Sequence, residues 1–309
     1  MPDLPLAALL FSTVASALIS GFIIIWFSKS RCAGSPRRDT QAVQASHTLP
    51  TARIGGLAIM SSLTLAVLLL RTQTSHGIAV PLLLSALPVF AVGLAEDLGL
   101  FASPRRRLLA AGASAALFVM LTGQWLNSTD IPGLDHVLLW APIGITFSVF
   151  LSVGVSHAFN LIDGLNGLSG STALAASLAL AYIAHGSDLT LHRDILLILA
   201  AAVAGFLVFN FPLGKIFLGD AGAYGAACLL SFGGLFMVHE GQASPWLLAA
   251  TLAYPCLEML MSMGRRAFSG NSILLPDDHH LHNRLHTVFR RYLRGAGWPS
   301  AATGISITL

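Results

Sequence analysis

The sequence predicts an all-α, polytopic membrane protein, and three observations lead to this prediction. Hydrophobic residues make up 55% of the 309 positions, charged residues only 10%, and the mean hydropathy is +0.74. Soluble domains carry roughly 25% charged residues, so a water-soluble globular protein is excluded. The apolar residues also form long runs, and an α-helix needs about 20 of them to cross a bilayer.

Nine runs are candidate transmembrane helices, and about nine to ten helices are expected in total. The first run is too long for a signal-peptide core and lacks a small-residue cleavage site after it. No repeat or second domain interrupts the pattern, so residues 1–309 are interpreted as one transmembrane domain with a motif-bearing core at 47–285. No further full span is expected in 287–309, which contains three arginines. The candidate spans are 4–27, 54–70, 78–95, 108–122, 137–158, 168–185, 194–212, 221–238 and 245–263.

The positive charges sort the loops between these runs onto two sides of the membrane. If successive loops alternate sides, one side carries 15 Lys and Arg residues and the other carries 2, which accounts for all 17. Since cytoplasmic loops are enriched in Lys and Arg, the first side is predicted to be cytoplasmic, with the N-terminus outside. The loops on the cytoplasmic side are 28–53, 96–107, 159–167, 213–220 and 264–309.

One short polar stretch, 159–167, separates two of the apolar runs. Asn160 and Asp163 offer oxygen ligands, and Gly164 and Gly167 allow the backbone to turn and to approach a ligand closely. An acid and amides beside a membrane-length apolar run are costly without a partner. A hydrated turn between helices is the simpler interpretation, and a hard cation that carries phosphates is the functional one.

Two further clusters add acids on the same predicted side. Glu96 and Asp97 end the third span, where negative charge opposes the helix dipole; they are candidates to hold Mg²⁺ or to act as a base, and Arg107 follows them. Asp220 lies between glycines at the start of the eighth span and resembles half of a shared metal site. For the first cluster, the alternative is a turn at the membrane interface that is anchored by the basic residues. For Asp220, the alternative is a carboxylate that stabilises the N-terminus of a helix without any ligand.

Basic and imidazole side chains in the same loops are candidates to bind substrate. Arg53 can pair with a phosphate, His47 precedes it in its loop, and Lys215 lies just before the eighth span. His280 and His282 alternate in the last loop. Hydrogen bonding to a phosphate or sugar is preferred over zinc binding, because no cysteines complete a four-ligand site. The simpler interpretations are a positively charged flank of a membrane span for the segment with His47 and Arg53, and a solvated, histidine-rich loop for His280 and His282.

Glu258 is the only acid deep within a predicted span. An ion pair with Arg265 or Arg266, two turns later, is its simplest interpretation. A transporter would place polar groups near the bilayer midplane, whereas here the polar groups fall in loops of one side. This distribution favours an enzyme at the membrane face that acts on a soluble, charged substrate.

These clusters, in this order, resemble the motifs of the polyprenyl-phosphate N-acetylhexosamine-1-phosphate transferases, glycosyltransferase family 4. That family includes phospho-MurNAc-pentapeptide transferase and the enzymes that start O-antigen, enterobacterial common antigen and teichoic-acid synthesis. The sequence departs from the family pattern at Glu96, His157, Asn166 and Asn283. The segments that carry the resemblance are His47…Arg53-Ile54-Gly55-Gly56, Glu96-Asp97, Asn160-Leu161-Ile162-Asp163-Gly164, Phe217-Leu218-Gly219-Asp220-Ala221-Gly222 and Pro276-Asp277…His280-Leu281-His282.

The resemblance implies transfer of a sugar-1-phosphate of the N-acetylhexosamine type from a UDP-sugar to undecaprenyl or another polyprenyl phosphate. UMP is released, and the product starts a lipid-linked cell-envelope glycan such as the O-antigen of lipopolysaccharide. Mg²⁺, with Mn²⁺ as an alternative, is expected on Asp220 with Asn160 assisting, because phosphoryl transfer needs charge neutralisation. Asp97 is the candidate that activates or orients the lipid phosphate, with Glu96 as its partner and Asp163 as a second candidate.

Arg107, His280 and His282 are expected to bind phosphate oxygens. The expected partners are the UDP-sugar, the polyprenyl phosphate and the lipid bilayer, with no nucleic acid; a homodimer is left open. The expected location is the bacterial inner (plasma) membrane, crossed several times, with the active site on the cytoplasmic face.

Two other hypotheses remain at this stage. One is a transporter or flippase of a charged lipid or nucleotide, which polar residues lining a path through the midplane would support. The other is an inactive scaffold of the same fold, suggested by the four departures from the family pattern and by the short C-terminal segment. Binding of a UDP-sugar without turnover would support the scaffold.

Overall fold

The computed structural model describes residues 6–29, 51–69, 76–100, 103–187, 189–212, 214–268, 280–293 and 298–308. In these ranges the chain is helical and contains no β-strand, apart from an isolated parallel bridge between Ala52 and Ile216. The helices are α1 (Leu6–Lys29), α2 (Gly55–Leu69), α3 (His76–Asp97), α4 (Pro104–Thr122), α5 (Leu134–Leu138), α6 (Ala141–Ile162), α7 (Leu168–Gly186), α8 (Thr190–Asn210), α9 (Gly219–His239), α10 (Pro245–Thr251), α11 (Ala253–Phe268), α12 (Leu281–Tyr292) and α13 (Trp298–Thr308).

Six helices in the described ranges are long and apolar enough to cross a membrane: α1, α3, α6, α7, α8 and α9. A seventh candidate is the pair α10 and α11, which is bent by 79° at the break between them. The prediction of an all-helical protein with several membrane spans is therefore confirmed. Two predicted spans do not reach this length and composition: α2 has only 15 residues, and α4 begins with the three arginines of 105–107.

Two predicted spans have different boundaries in the structure, and prolines explain both. The predicted span 137–158 is divided between α5 and α6, and α6 has Pro142 in its first turn, where the missing N–H costs nothing. The predicted span 245–263 is bent between α10 and α11. Pro255, in the first turn of α11, cannot donate to the carbonyl four residues earlier, and this missing hydrogen bond weakens the continuation of α10 into α11 at the bend.

Helix α9 lies at the centre of the bundle. In the apolar stretch of this helix, 94% of the residues are buried. The helix packs against α2, α3, α4, α6, α7 and α8. A Cβ added at Gly56 in α2 would overlap the backbone of Gly222, and one added at Gly93 in α3 would lie 2.7 Å from the backbone nitrogen of Ala221. Small residues that let backbones approach are the usual basis of helix association in membranes. The first turn of α9 is therefore held directly against the ends of α2 and α3.

Hydrogen bonds join the loops at two opposite ends of the bundle. At one end, the segments before α2 and α9 are joined by the N–H of Gly55, which donates to the carbonyl of Phe217 at 2.9 Å. At the other end, Gln124 donates to Glu240 at 2.7 Å and so joins the loops after α4 and α9. The segments before α2 and α9 thus lie at the end of the bundle opposite to the loops after α4 and α9.

The described C-terminal helices pack beside α7. Helices α12 and α13 contact each other, and α13 also contacts α7, where the hydroxyls of Ser171 and Thr308 are 2.9 Å apart. Helix α13 has 11 residues, so within 298–308 the chain forms no full membrane span.

Candidate active site

The first turn of α9 carries Asp220 and is held in place by Asp97. Gly219 has a φ of +75°, and a Cβ there would collide with the carbonyl oxygen of Arg53, so only glycine fits before Asp220. The two carboxylate oxygens of Asp97 accept the backbone N–H groups of Asp220 and Ala221, both at 2.9 Å. These bonds satisfy two of the N–H groups that a helix start leaves unpaired.

Three side chains from three other segments meet on the carboxylate of Asp220. Its Oδ1 accepts from Nδ2 of Asn160 at 3.0 Å, and its Oδ2 accepts from Nη1 of Arg107 at 3.0 Å. Nη2 of Arg53 lies 3.7 Å from Oδ1. Asp220 is only 6% exposed, and a buried carboxylate needs such partners. The predicted metal ligands Asp220 and Asn160 are therefore in direct contact.

Glu96 lies on the other side of Arg107. Nη1 of Arg107 is 3.2 Å from Oε1 of Glu96 and 3.0 Å from Oδ2 of Asp220, so this guanidinium bridges the two acids. The second oxygen of Glu96, Oε2, is buried and has no hydrogen-bond partner among the described residues. Buried carboxylate oxygens without a partner are uncommon, and such an atom in a cluster of acids indicates a ligand-binding position.

Asp163 follows the last turn of α6 at the same end of the bundle. Burial raises the pKa of Asp163 well above the usual range; Arg53 opposes this shift, Asp220 and Asp97 add to it, and a hydrogen bond with the backbone of Gly219 lowers it. A raised pKa makes the carboxylate a stronger base once it has lost its proton. Asp163 remains the second candidate, after Asp97, to activate or orient the lipid phosphate.

The fit of this acid cluster to Mg²⁺ depends on how many ligands the protein must supply. No group of three or more His, Cys, Asp or Glu side chains in the described part of the chain is arranged to hold a metal alone. Mg²⁺ in phosphoryl-transfer sites needs only one or two carboxylates, because phosphates and water complete its shell. Asp220 and the unpartnered oxygen of Glu96 offer this set. Asn160 would add its Oδ1 only after its amide, which donates to Asp220, rotates. The residues fit a cation site that the substrate completes.

The other predicted substrate ligands differ in their positions. Arg53 and Arg107 lie within the acid cluster. The side chain of Lys215 is exposed and makes no ion pair with the cluster among the described residues. His47 lies outside the described ranges, as do Pro276 and Asp277 of the last motif.

His280 and His282 form a stacked pair beside α11. Their rings are 5.1 Å apart and nearly parallel, at 3°, and each residue is 2% exposed. Nδ1 of His280 lies 3.0 Å from Oε2 of Glu258, and Nδ1 of His282 lies 3.3 Å from the hydroxyl of Tyr254. Burial and the neighbouring His280 lower the pKa of His282 to about 4, so this ring is neutral at physiological pH. A Cβ on Gly164 would lie 3.6 Å from Nε2 of His282, which places the histidines against the polar stretch after α6.

Glu258 has partners other than the arginines proposed from the sequence. Its Oε1 accepts the backbone N–H of Leu281 at 2.8 Å, and its Oε2 contacts His280. The spacing of four residues between Tyr254 and Glu258 puts both on one face of α11. That spacing was readable in the sequence, but the loop that folds onto it was not.

Tyr224 and His157 lie close enough to the acid cluster to interact with the charges of Asp220 and Arg107, and neither was predicted as a site residue. The hydroxyl of Tyr224 lies 3.3 Å from Nδ1 of His157, and the two rings meet edge to face at 5.3 Å. Tyr224 follows Asp220 by four residues, a spacing that shares a helix face and gives a signal in the sequence. His157 appeared there only as a departure from the family pattern.

Comparisons with known proteins identify the family to which this chain is related. The family model described as Glycosyl transferase family 4 matches residues 79–238, which include α4–α8 and most of α3 and α9. The chain is 32% identical to a decaprenyl-phosphate N-acetylglucosaminephosphotransferase of Mycolicibacterium smegmatis over 280 residues, covering 80% of this chain and 68% of the relative. It is 29% identical over 229 residues to an undecaprenyl-phosphate alpha-N-acetylglucosaminyl 1-phosphate transferase of Thermotoga maritima, covering 74% and 67%.

A phospho-N-acetylmuramoyl-pentapeptide-transferase of Granulibacter bethesdensis is 25% identical over 335 aligned positions, which cover 96% of this chain and 86% of the relative. The family model spans more than half of the chain, and the mycobacterial relative is matched over more than two thirds of its own length. The chain therefore belongs to glycosyl transferase family 4.

Proposed function

We propose that this protein transfers a sugar-1-phosphate from a UDP-sugar to a polyprenyl phosphate and releases UMP. The names of the relatives support the acceptor and the reaction, because they describe transfer of N-acetylglucosamine phosphate to decaprenyl or undecaprenyl phosphate. The observation that carries the proposal is the position of Asp220. This residue lies in the first turn of α9, and its carboxylate contacts two arginines and an amide.

The reaction is a phosphoryl transfer in which one P–O bond forms and one breaks. An oxygen of the polyprenyl phosphate attacks the phosphorus that bears the sugar, and the bond from that phosphorus to the oxygen of UMP breaks. Little covalent work is left to the protein, which must position the reactants and neutralise their charge. Arg53 and Arg107 would bind phosphate oxygens once these replace the carboxylates as their partners.

A bound Mg²⁺, or Mn²⁺, would supply charge neutralisation to the diphosphate as a Lewis acid. Asp220 and Glu96 would hold it, with Asn160 assisting. Asp97 would act by keeping the first turn of α9 in place, since both of its oxygens accept from backbone N–H groups. Asp163 would take the proton of the lipid phosphate or orient that phosphate, as its raised pKa suits a proton acceptor.

The position of the polar cluster favours an enzyme over a transporter. Its acids lie just after the last turn of α6, at the end of α3 and at the start of α9. They are therefore close together at one end of the bundle and do not line a path through it. An inactive scaffold is disfavoured as well. Glu96 is one of the four departures from the family pattern, but it still supplies an acid to the cluster and contacts Arg107. We place the site at the cytoplasmic face of the bacterial plasma membrane, on the basis of the 15 basic residues in the loops of that side.

A reconstitution experiment tests the proposed function. Purified protein would be incubated with undecaprenyl phosphate, Mg²⁺ and one labelled UDP-sugar at a time: UDP-N-acetylglucosamine, UDP-N-acetylgalactosamine or a 6-deoxy N-acetylhexosamine donor. The expected result is UMP and a lipid diphosphate sugar, identified by mass, for at least one donor. Release of free sugar phosphate without a lipid product, or no reaction with any donor, would contradict the proposal. The mass of the purified particle would also decide whether the protein is a homodimer.

A further inference from the structure

Helix α12 is attached to the rest of the protein along one of its faces. At its start, the N–H of Leu281 donates to Oε1 of Glu258 in α11 at 2.8 Å, and the side chain of His282 is buried. One turn later, Nε2 of His286 lies 3.3 Å from the hydroxyl of Ser300 in α13. His282 and His286 are four positions apart, so they lie on the same face of the helix. This face of α12 is therefore the one that contacts the protein.

Another face of α12 carries large apolar side chains that are exposed. Leu281 is 48% exposed, Val288 47% and Tyr292 79%. Leu285, which is partly exposed, lies between them in the sequence. The successive spacings of four, three and four residues place these side chains on one face of an α-helix. These four residues form an apolar stripe that the described part of the chain does not cover.

Two arginines lie along one edge of the apolar stripe. Arg284 and Arg291 are exposed and seven positions apart, so they share one side of the helix. Val288 lies between them, four residues after the first and three residues before the second. Arg290 is also exposed, but it follows Val288 by two positions and therefore lies on the opposite side of the helix. The exposed surface of α12 thus combines an apolar stripe with adjacent positive charge.

A membrane surface that contains anionic phospholipids matches this combination. A helix with an apolar face beside basic side chains lies in the plane of the interface, with its apolar face at the boundary between headgroups and acyl chains. Tyrosine, here Tyr292, is enriched at that depth. The location of the helix agrees with this partner. A Cβ on Gly164 would lie 3.6 Å from Nε2 of His282, so α12 begins at the end of the bundle that the basic loops assign to the cytoplasm.

We propose that α12 is a membrane-surface helix, which inserts its apolar stripe into the cytoplasmic leaflet and binds anionic phospholipid headgroups through Arg284 and Arg291. These arginines lie on the outside of α12, so their lipid contacts are separate from the acid cluster. The helix begins with His282 beside the polar stretch at Gly164, so its docking also connects the lipid composition with the site. Anionic phospholipid should therefore increase turnover. This consequence rests on the proposed function, whereas the docking itself does not.

Spin labelling tests the docking without a measurement of activity. A nitroxide would be attached at Val288→Cys or, as the control on the opposite side, at Arg290→Cys. Both proteins would carry Cys32→Ser and Cys256→Ser and would keep Cys228, which is buried. Each would be placed, without polyprenyl phosphate, in nanodiscs of phosphatidylcholine with about 30% phosphatidylglycerol, which supplies the negative surface potential.

Collisions of each nitroxide would be measured with oxygen, which concentrates in the bilayer, and with a water-soluble nickel chelate. We expect the label at residue 288 to collide mainly with oxygen and the label at residue 290 mainly with nickel. Collision of both labels mainly with nickel would overturn the docking. So would shielding of the label at residue 288 from both reagents, because protein, such as a second copy of this chain, would then cover the apolar stripe.

Neutralisation of neighbouring arginines tests the contact with lipid headgroups. UMP release by wild type, Arg291→Gln and Arg290→Gln would be compared in nanodiscs with and without phosphatidylglycerol. We expect this lipid to stimulate wild type and Arg290→Gln equally, and Arg291→Gln up to about 5-fold less, because one basic residue near an anionic surface contributes about that factor. Equal stimulation of all three proteins, or none of any, would overturn the assignment of the arginines.

The two experiments separate failure of this inference from failure of the proposed function. A label at residue 288 that lies in the bilayer, in a protein that releases no UMP in either kind of nanodisc, would leave the docking in place and contradict the proposed function. UMP release by a protein whose label at residue 288 lies in water would do the reverse.

Discussion

Asp97 accepts the backbone N–H of Asp220 at 2.9 Å, so the acid at the end of α3 supports the helix that carries the acid of α9. Both oxygens of Asp97 accept from backbone groups, whereas both oxygens of Asp220 contact side chains. Side-chain partners can move when a cation and phosphates arrive, but the first turn of a buried helix cannot. The two acids therefore have separate tasks, one in structure and one in binding.

The first prediction separates these tasks by mutation. Asp97→Ala removes both acceptors of the helix start and should lower the free energy of unfolding by about 0.5–2 kcal/mol, the usual cost of a lost helix cap. Asp220→Asn keeps the shape of the side chain and should change the unfolding temperature much less. Thermal unfolding of the purified variants measures both effects. An unchanged unfolding temperature in Asp97→Ala, together with lost turnover, would instead favour a direct catalytic role for Asp97.

The second prediction concerns the glycines that hold α9 close to its neighbours. Gly93→Ala would place a Cβ 2.7 Å from the backbone nitrogen of Ala221, which must move the turn that carries Asp220. Overpacking of this kind costs about 1–3 kcal/mol, so both the unfolding temperature and the turnover should fall. Gly112→Ala in α4 is the control, because a Cβ there meets nothing within 4 Å and alanine favours a helix over glycine. Equal behaviour of the two variants would argue against the close packing.

The third prediction concerns removal of the metal. Treatment with EDTA should abolish UMP release, and Mg²⁺ or Mn²⁺ should restore it, because the acid cluster offers only oxygen ligands. Glu96→Gln weakens the second carboxylate and should raise the Mg²⁺ concentration for half-maximal turnover by about 10-fold, equivalent to one lost interaction of about 1.4 kcal/mol. A titration of turnover with Mg²⁺ measures this shift. Full activity in EDTA would mean that the reaction does not need a divalent cation.

The fourth prediction uses the raised pKa of Asp163. An acid whose pKa is higher in the folded state binds its proton more tightly there, so it adds stability at low pH and loses that contribution as the pH rises through the folded pKa. Asp163→Asn has no charge to lose. Its unfolding temperature relative to wild type should therefore increase as the pH rises from about 4, the unfolded pKa of Asp, and level off above the folded pKa.

This comparison should be made by thermal unfolding in EDTA, so that a bound cation does not contribute. A difference between Asp163→Asn and wild type that is constant across this pH range would mean that the folded and unfolded pKa values of Asp163 are alike. A difference that falls with rising pH would mean that the folded pKa is lowered rather than raised.

The acids of the cluster could be located from the sequence, but the residues that they contact could not. Asp220 was recognised because glycines flank it at a helix start, and Asn160 because a polar stretch is costly between apolar runs. The capping role of Asp97 could not be predicted, because it depends on how the end of α3 meets the start of α9. The partners of Glu258 were missed for the same reason. The bend before α11 could not be predicted from Pro255 alone, because α3 contains Pro81 and Pro88 and is one continuous helix.

The turnover of Asp220→Asn compared with wild type tests whether the carboxylate of Asp220 holds the cation. UMP release would be followed for both proteins with undecaprenyl phosphate, saturating Mg²⁺ and the donor that the reconstitution identifies. We predict that the folded variant loses about 100-fold to 1,000-fold of the turnover, the range seen when one electrostatic contact to a developing charge is removed. Wild-type turnover in Asp220→Asn would contradict the assignment of this carboxylate to the cation and, with it, the proposed chemistry of the cluster.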